Sequence, residues 1–161
     1  MYRISVVPTN PAELVRYMQF GIDAWDMHNS FWKCVIARLC QFIKTEVQNS
    51  DKTIELCLNM QDGLDYAFCA AAILAKRHYN SRIKLAVISG KHSNTKMTKT
   101  NRIIMNNADC ITFANKPADL TIALWDKRPY GNTFKYIKNA KMHGQALWII
   151  DPRDIAAAQY A

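Results

Sequence analysis

Several features that would assign a function at once are missing from this sequence. No apolar run approaches the ~20 residues that cross a bilayer, and "MYRISVVPTNPAELV" has neither the apolar core nor the cleavage site of a secretory signal. The four histidines lie far apart and no Cys-x-x-Cys pair occurs, so no metal-ligand spacing is present. Neither a G-x-G-x-x-G nor a Walker A motif occurs. We therefore expect a cytoplasmic protein without a membrane contact, a metal or a cofactor.

The sequence has five cysteines, an odd number, and each lies in an apolar stretch. They are Cys34, Cys40, Cys57, Cys69 and Cys110. This distribution is typical of reduced core residues in a cytosolic protein, and we predict free thiols.

Acidic residues are scarce relative to basic ones. The formal net charge is +8, the pI is about 9.3, and the stretch from Lys91 to Arg102 contains four cations and no acid. Such a balance favours an anionic partner: a nucleotide, a nucleic acid or an acidic protein surface. With 161 residues, half of them apolar, the chain is long enough for one domain with its own core, which we assign to residues 1–161.

Strand-like and helix-like stretches alternate along the chain. The predicted strands are Tyr2–Val7, Thr53–Met60, Arg82–Ser89, Asp109–Phe113, Asp119–Trp125 and Ala146–Ile150. The predicted helices are Pro11–Phe20, Asn29–Val47, Asp62–Tyr79, Thr98–Ala108 and Asn132–His143, followed by a turn or short helix in the tail. This alternation predicts an α/β fold: a single Rossmann-like domain with a mostly parallel central sheet and helices on both faces.

Two of these segments carry a further prediction. The apolar centre "LAVI" of Arg82–Ser89 indicates a strand inside the sheet, buried on both faces. Apolar residues recur every three or four positions between Phe31 and Val47, which marks one helix face. That face could serve as core or as the interface of a homodimer.

Polar residues and glycines gather after four of the predicted strands. In open parallel sheets, ligands bind outside the carboxyl ends of the strands, so these residues, with one nearby arginine, are the predicted ligand-binding set. The set is Thr9, Asn10, Gln61, Asp62, Gly63, Ser89, Gly90, Lys91, Arg102, Asp126, Arg128, Tyr130, Gly131, Asn132 and Thr133. Trp125 ends an apolar strand, and for it we favour a core role over stacking on a ligand.

Helices that begin near Gly63 and Gly131 are the strongest part of this prediction. A helix N-terminus offers unpaired N–H groups and roughly half a positive charge, and a glycine allows close approach to the backbone. Together they suit a phosphate. The competing interpretation at the second helix is that Asn132 or Thr133 is simply an N-cap.

Two stretches resemble the SLOG superfamily, a Rossmann-like group that includes lysine-decarboxylase-like phosphoribohydrolases and the YspA- and YpsA-related proteins. In "NMQDGLDYAFCAAAILAKRHYNSRIKLAVIS" the residues that resemble the family's G-x-D/E-x-x-A-A-x-x-A pattern are Gly63, Asp65, Ala70 or Ala71, and Ala75. In "ADLTIALWDKRPYGNTFKYIKNAKMHGQALWII" the resemblance lies in the W-D turn and in Gly131, Ile137, Ala140 and Gly144, which resemble the family's G-T-x-x-x-I-x-x-A-x-x-x-G frame. Asn132 stands where this frame has threonine. About two-thirds of the chain is covered, so the chain resembles a divergent member.

The resemblance implies binding of a nucleotide or nucleotide-derived ligand, such as an ADP-ribose derivative, for sensing or sequestration. Phosphoribohydrolases of the superfamily use P-G-G-x-G-T-x-x-E with a catalytic glutamate, whereas "PYGNTFKYIK" has Lys135 and Tyr136 and no acid. We therefore expect no catalysis. Two alternatives stay open. One is a nucleotide N-glycosidase that uses Asp62, Asp65 or Asp126 as its acid. The other is a small phage or mobile-element regulatory protein that binds a host protein, or nucleic acid, through a basic face.

Overall fold

Six strands form one sheet in the computed structural model of the chain, which describes residues 1–89, 98–113 and 117–159. The strands are β1 (Tyr2–Val6), β2 (Ile54–Leu58), β3 (Ile83–Ser89), β4 (Cys110–Phe113), β5 (Leu120–Leu124) and β6 (Leu147–Ile150). Every pairing between them is parallel. The predicted α/β fold with a mostly parallel sheet is confirmed.

The strand order is β4-β3-β2-β1-β5-β6. From β1 the chain builds outward through β2 and β3 to β4, and then returns to place β5 on the other side of β1. The direction of winding therefore reverses between β1 and β5. The hydroxyls of Ser5 and Thr121 lie 3.0 Å apart across this pair, although the residues are 116 positions apart in sequence.

The interior of the sheet follows the apolar pattern of the sequence. All five residues of β2 are buried, and β3 pairs with β2 on one side and with β4 on the other. The prediction that the "LAVI" segment lies inside the sheet is confirmed.

The helices within the described ranges are mostly close to their predicted positions. They are α1 (Ser30–Asn49), α2 (Leu64–Tyr79), α3 (Lys99–Asn107), α4 (Asn132–Met142) and α5 (Pro152–Ala158), with 3₁₀ helices at Pro11–Tyr17 and Asn80–Arg82. The predicted helix Pro11–Phe20 is 3₁₀ and ends three residues early, since the chain becomes extended at Met18. No helix in the part of the chain that the structure describes is long and apolar enough to span a membrane.

Helices pack on both faces of the sheet, as predicted. Successive strand residues point to opposite faces, and Ile122 and Ala123 of β5 show the consequence. Ile122 belongs to the large core cluster that contains the buried residues of α1 and α2, whereas Ala123 packs with Val7 and with Ile137 of α4.

Helix α1 owes its position to its cap and its apolar stripe. The Asn29 side chain accepts a hydrogen bond from the N–H of Trp32, at 3.0 Å. Phe31, Trp32, Val35 and Leu39 are fully buried in the core. Of the two roles that the sequence left open for this stripe, core and dimer interface, the structure shows the first.

All five cysteines are free. Cys57 and Cys69 are buried and Cys110 is exposed. Among the described residues, no group of three or more histidines, cysteines and acids is placed to hold a metal ion.

Candidate functional site

A cleft of about 350 Å³ opens where β1 and β5 end side by side. One wall is formed by the residues that follow β5 and the other by the 3₁₀ helix that follows β1. Its lining residues are Thr9, Ala12, Glu13, Leu14, Val15, Arg16, Leu124, Trp125, Asp126, Arg128, Tyr130, Gly131 and Thr133. The cleft therefore lies at the point where the winding of the sheet reverses, which is the usual ligand position in open α/β sheets.

Arg128 is the best-anchored cation of the cleft. Its Nε forms an ion pair with Oδ2 of Asp126, with the two atoms 2.8 Å apart, and its backbone N–H donates to Oδ1 of the same carboxylate over 3.2 Å. Its Nη2 is buried and has no hydrogen-bond partner among the described residues. An unpaired buried donor of a charged group is costly, so this nitrogen has an unused capacity to bind an acceptor.

Tyr17, the last residue of the 3₁₀ helix, contacts the turn after β5. Its hydroxyl donates to Oδ2 of Asp126 over 2.5 Å, and its carbonyl accepts from Nε2 of Gln159 over 2.7 Å. Burial, together with the hydrogen bond to Asp126, raises the pKa of Tyr17 to about 12. The phenol is therefore protonated at neutral pH and donates its hydrogen to Asp126.

Helix α4 begins at the rim of the cleft without a side-chain cap. Gly131 is the N-cap residue, with φ 94°, and within the described part of the chain this cap makes no side-chain hydrogen bond. Asn132 and Thr133 lie inside the helix, so the interpretation of either as an N-cap is wrong. The open N–H groups remain available to water or to an anion.

Gly63, just before α2, has a different role from Gly131 at the start of α4. Gly63 is buried with φ 87°, and a Cβ at this position would lie 2.7 Å from the carbonyl oxygen of Thr9. Its N–H donates to Sδ of Met27 over 3.2 Å. The close approach at this glycine is thus between two parts of the chain itself.

The predicted site residues divide between the cleft and other positions. The cleft lining contains Thr9, Asp126, Arg128, Tyr130, Gly131 and Thr133. Asn10, Gln61, Asp62, Gly63, Arg102 and Asn132 are outside that lining. Ser89 ends β3, and Gly90 and Lys91 lie outside the described residues.

Several residues outside the lining have local partners. The Asn10 side chain caps the 3₁₀ helix by accepting from the N–H of Ala12. Asp62 accepts a hydrogen bond from the Thr100 hydroxyl, and Arg102 is exposed on α3. Helix α3 has a complete capping box between Thr98 and Asn101.

The sequence did not indicate the wall contributed by the 3₁₀ helix. Glu13, Leu14 and Arg16 line the cleft, and they lie in a segment that the sequence predicted only as a helix. A helix that follows a strand at the reversal of winding must cross the end of the sheet. The sequence alone does not reveal that β1 is such a strand, so it does not place this helix at the cleft.

Trp125 packs against a small apolar cluster and also faces the cleft. It is partly buried against Val7, Ala123 and Ile137, and it also lines the cleft. Its indole Nε1 donates to the carbonyl oxygen of Arg128 over 3.0 Å. The ring is thus a structural support for the turn that carries Arg128.

Comparisons with protein-family models, with curated proteins and with solved structures give no match.

Proposed function

We propose that the chain binds a nucleotide or nucleotide-derived anionic ligand, such as an ADP-ribose derivative, in the cleft between the ends of β1 and β5. The observation that carries the proposal is the buried Nη2 of Arg128, which has no acceptor within the described residues and belongs to a cleft-lining side chain. A phosphate oxygen would supply that acceptor with a charge-assisted hydrogen bond.

Net charge alone does not make this cleft attractive to anions. Arg16 and Arg128 line it, but so do Glu13 and Asp126. Selectivity for an anion therefore depends on which nitrogens of the Arg128 guanidinium are left for the ligand. The carboxylate of Asp126 forms an ion pair with Nε and accepts from the backbone of Arg128, whereas Nη2 has no hydrogen-bond partner among the described residues.

Two further features support a phosphorylated ligand. The uncapped start of α4 places N–H groups and the positive end of the helix dipole at the same rim. Tyr130 is exposed there, with the Arg128 guanidinium 5.9 Å from its ring centroid. An aromatic ring at the rim can stack on a base. A volume of about 350 Å³ lies within the ~300–1,000 Å³ of ordinary small-molecule sites.

The contacts of the acids support binding without catalysis. Asp126 is occupied by Tyr17 and Arg128. Asp65 is fully buried outside the cleft, and Asp62 accepts from Thr100. None of the three is a free carboxylate within the cleft, so the N-glycosidase alternative has little support.

Calorimetric titration of ADP-ribose, AMP and adenosine tests the proposal. We expect the two phosphorylated compounds to bind more tightly than adenosine, and Arg128→Ala to weaken their binding by ~1.5–3 kcal/mol. Arg102→Ala is the matched control, because it removes the same charge from an exposed position outside the cleft lining. Absence of binding at millimolar concentration, or equal losses in the two variants, would overturn the proposal.

The alternative of a protein partner has one observation in its favour. Phe20 is fully exposed and Trp25 half exposed in the segment between the 3₁₀ helix and α1, and exposed aromatics are enriched at protein interfaces. The simplest such partner is a second copy of the chain. Sedimentation equilibrium of the wild type and of Phe20→Ser tests this, and a monomer in both would exclude a homodimer at that surface.

A further inference from the structure

The turn that follows β5 has an unusual backbone. Lys127 has φ 70° and is the one non-glycine residue with positive φ in the described part of the chain. Lysine has no side-chain preference for this conformation, so the surrounding contacts must impose it. Those contacts converge on the next residue, Arg128, whose carbonyl and N–H are hydrogen-bonded within the turn and whose Nε forms an ion pair with Asp126.

Tyr17 adds a contact that does not belong to the turn. It reaches Asp126 from the 3₁₀ helix, 109 positions away in sequence. Oδ2 of Asp126 therefore accepts from the Tyr17 hydroxyl and lies 2.8 Å from Nε of Arg128 in an ion pair, while Oδ1 accepts from the Arg128 backbone. The carboxylate is thus held by two hydrogen bonds and one ion pair, which come from its own turn and from the 3₁₀ helix.

This arrangement prevents Asp126 from forming a bidentate pair with Arg128. A carboxylate beside an arginine usually forms a bidentate pair with two parallel N–H···O bonds. Here the ion pair engages Nε, and Nη2 is left without a partner among the described residues. The hydrogen bonds from Tyr17 and from the Arg128 backbone hold the carboxylate in the orientation in which it meets Nε.

We infer that Tyr17 and Asp126 are positioning residues, which hold Arg128 so that the end of its guanidinium receives an oxyanion of the ligand. The inference rests on the proposed function and specifies how the cleft selects for phosphate. Without the Tyr17 hydroxyl, Asp126 is free to rotate onto Nη2 and to compete with the ligand for Arg128.

The test compares Tyr17→Phe with wild type by titration of ADP-ribose and adenosine. We expect Tyr17→Phe to weaken ADP-ribose binding about tenfold, because the mutation permits the competing pair, and to leave adenosine binding unchanged. Tyr79→Phe is the matched control, since its hydroxyl accepts from Gln48 at an exposed position. A general loss of stability would affect both ligands, whereas loss of positioning affects the phosphorylated one.

Two more measurements separate positioning from a purely structural role. In an Arg128→Ala background, Tyr17→Phe should cause no further loss of ADP-ribose affinity, because the residue that it positions is absent. In ¹⁵N NMR spectra, the Nε–H signal of Arg128 should shift in Tyr17→Phe and stay unchanged in Tyr79→Phe.

The possible failures are distinguishable. If wild type binds ADP-ribose and Arg128→Ala loses affinity while Tyr17→Phe binds normally, the positioning inference is wrong and the proposed function stands. If wild type binds neither ADP-ribose nor AMP, the proposed function fails and the inference fails with it.

Discussion

The backbone N–H of Asn59 donates to Oδ1 of Asp65 over 3.2 Å, while Oδ2 of the same carboxyl is buried without a partner among the described residues. Asp65 lies in the first turn of α2 and is fully buried. Burial raises the pKa of Asp65 well above its usual value, and the bond from Asn59 offsets this only in part. The folded protein therefore prefers the neutral acid.

This preference predicts a pH-dependent stability. The carboxyl ionises near its usual pKa of ~3.9 in the unfolded chain and only at higher pH in the folded one. Its favourable contribution is thus fully present below the unfolded pKa, and is lost as pH rises towards the folded pKa. Asp65→Asn keeps an acceptor for Asn59 and removes the ionisation. We expect its free energy of unfolding, relative to wild type, to rise by more than ~1 kcal/mol between pH 4 and pH 8, since one pKa unit corresponds to ~1.4 kcal/mol.

Urea denaturation at a series of pH values measures this difference. Asp51→Asn is the control, because Asp51 is exposed. Parallel stability curves for wild type and Asp65→Asn would show that the buried acid does not resist ionisation.

A second prediction concerns Gly63 and its contact with Thr9. Gly63→Ala would strain a backbone with φ 87° and would place a Cβ 2.7 Å from the Thr9 carbonyl oxygen. Gly21→Ala meets a similar φ of 81° but has nothing within 4 Å. We expect Gly63→Ala to destabilise the fold by ~1–3 kcal/mol more than Gly21→Ala, the usual cost of overpacking. Equal unfolding midpoints for the two variants would contradict the close approach.

Asn29 supplies the third prediction, because it bonds in two directions. Its Oδ1 caps α1 at Trp32, and its Nδ2 donates to the carbonyl of Asp23 over 3.0 Å. Asn29→Ala should cost ~2 kcal/mol or more, since a lost cap costs ~1 kcal/mol and an unpaired carbonyl adds to it. Asn29→Asp retains a capping oxygen, so its stability should lie between those of wild type and Asn29→Ala. If it is as unstable as Asn29→Ala in thermal denaturation, the cap contributes nothing.

The cysteines should react with a thiol reagent at very different rates. Cys110 is exposed, whereas burial raises the pKa of Cys57 to about 12 and that of Cys69 to about 11. Because the thiolate is the reactive form, these two should react only after unfolding. With a chromogenic disulfide at pH 8, Cys110→Ser should remove the fast phase of the folded protein, and a fast phase that persists would contradict this assignment.

Local sequence patterns predicted the sheet and the core well. Period and composition are properties of single segments, and the run "LAVI" and the spacing from Phe31 to Val47 lead directly to β3 and to the buried face of α1. The site was harder to predict because it depends on strand order. The ends of β2 and β5 looked equivalent in sequence, but only the second lines the cleft, because β5 adjoins β1 at the reversal of winding.

Long-range contacts also limited the prediction of the site. Gly63 and Gly131 both signalled a close approach or an unusual turn, and the sequence did not indicate that the first approaches Thr9. Tyr17 offered no local signal at all, since its partner Asp126 lies 109 positions away. A side chain that acts through a distant partner becomes visible only when the fold is known.

The central position of β1 has a consequence for how the protein folds during its synthesis. Strands β1 to β4 can pair once the chain to Phe113 has left the ribosome, whereas the second edge of β1 must wait for Leu120–Leu124. Until then that edge is an exposed template for other chains, as unpaired edges are in general. The pairing of β1 with β5 both covers this edge and brings Asp126 next to Tyr17. The cleft thus cannot form before this edge is covered, and a nascent chain has passed the stage with an exposed β1 edge before it can bind a ligand there.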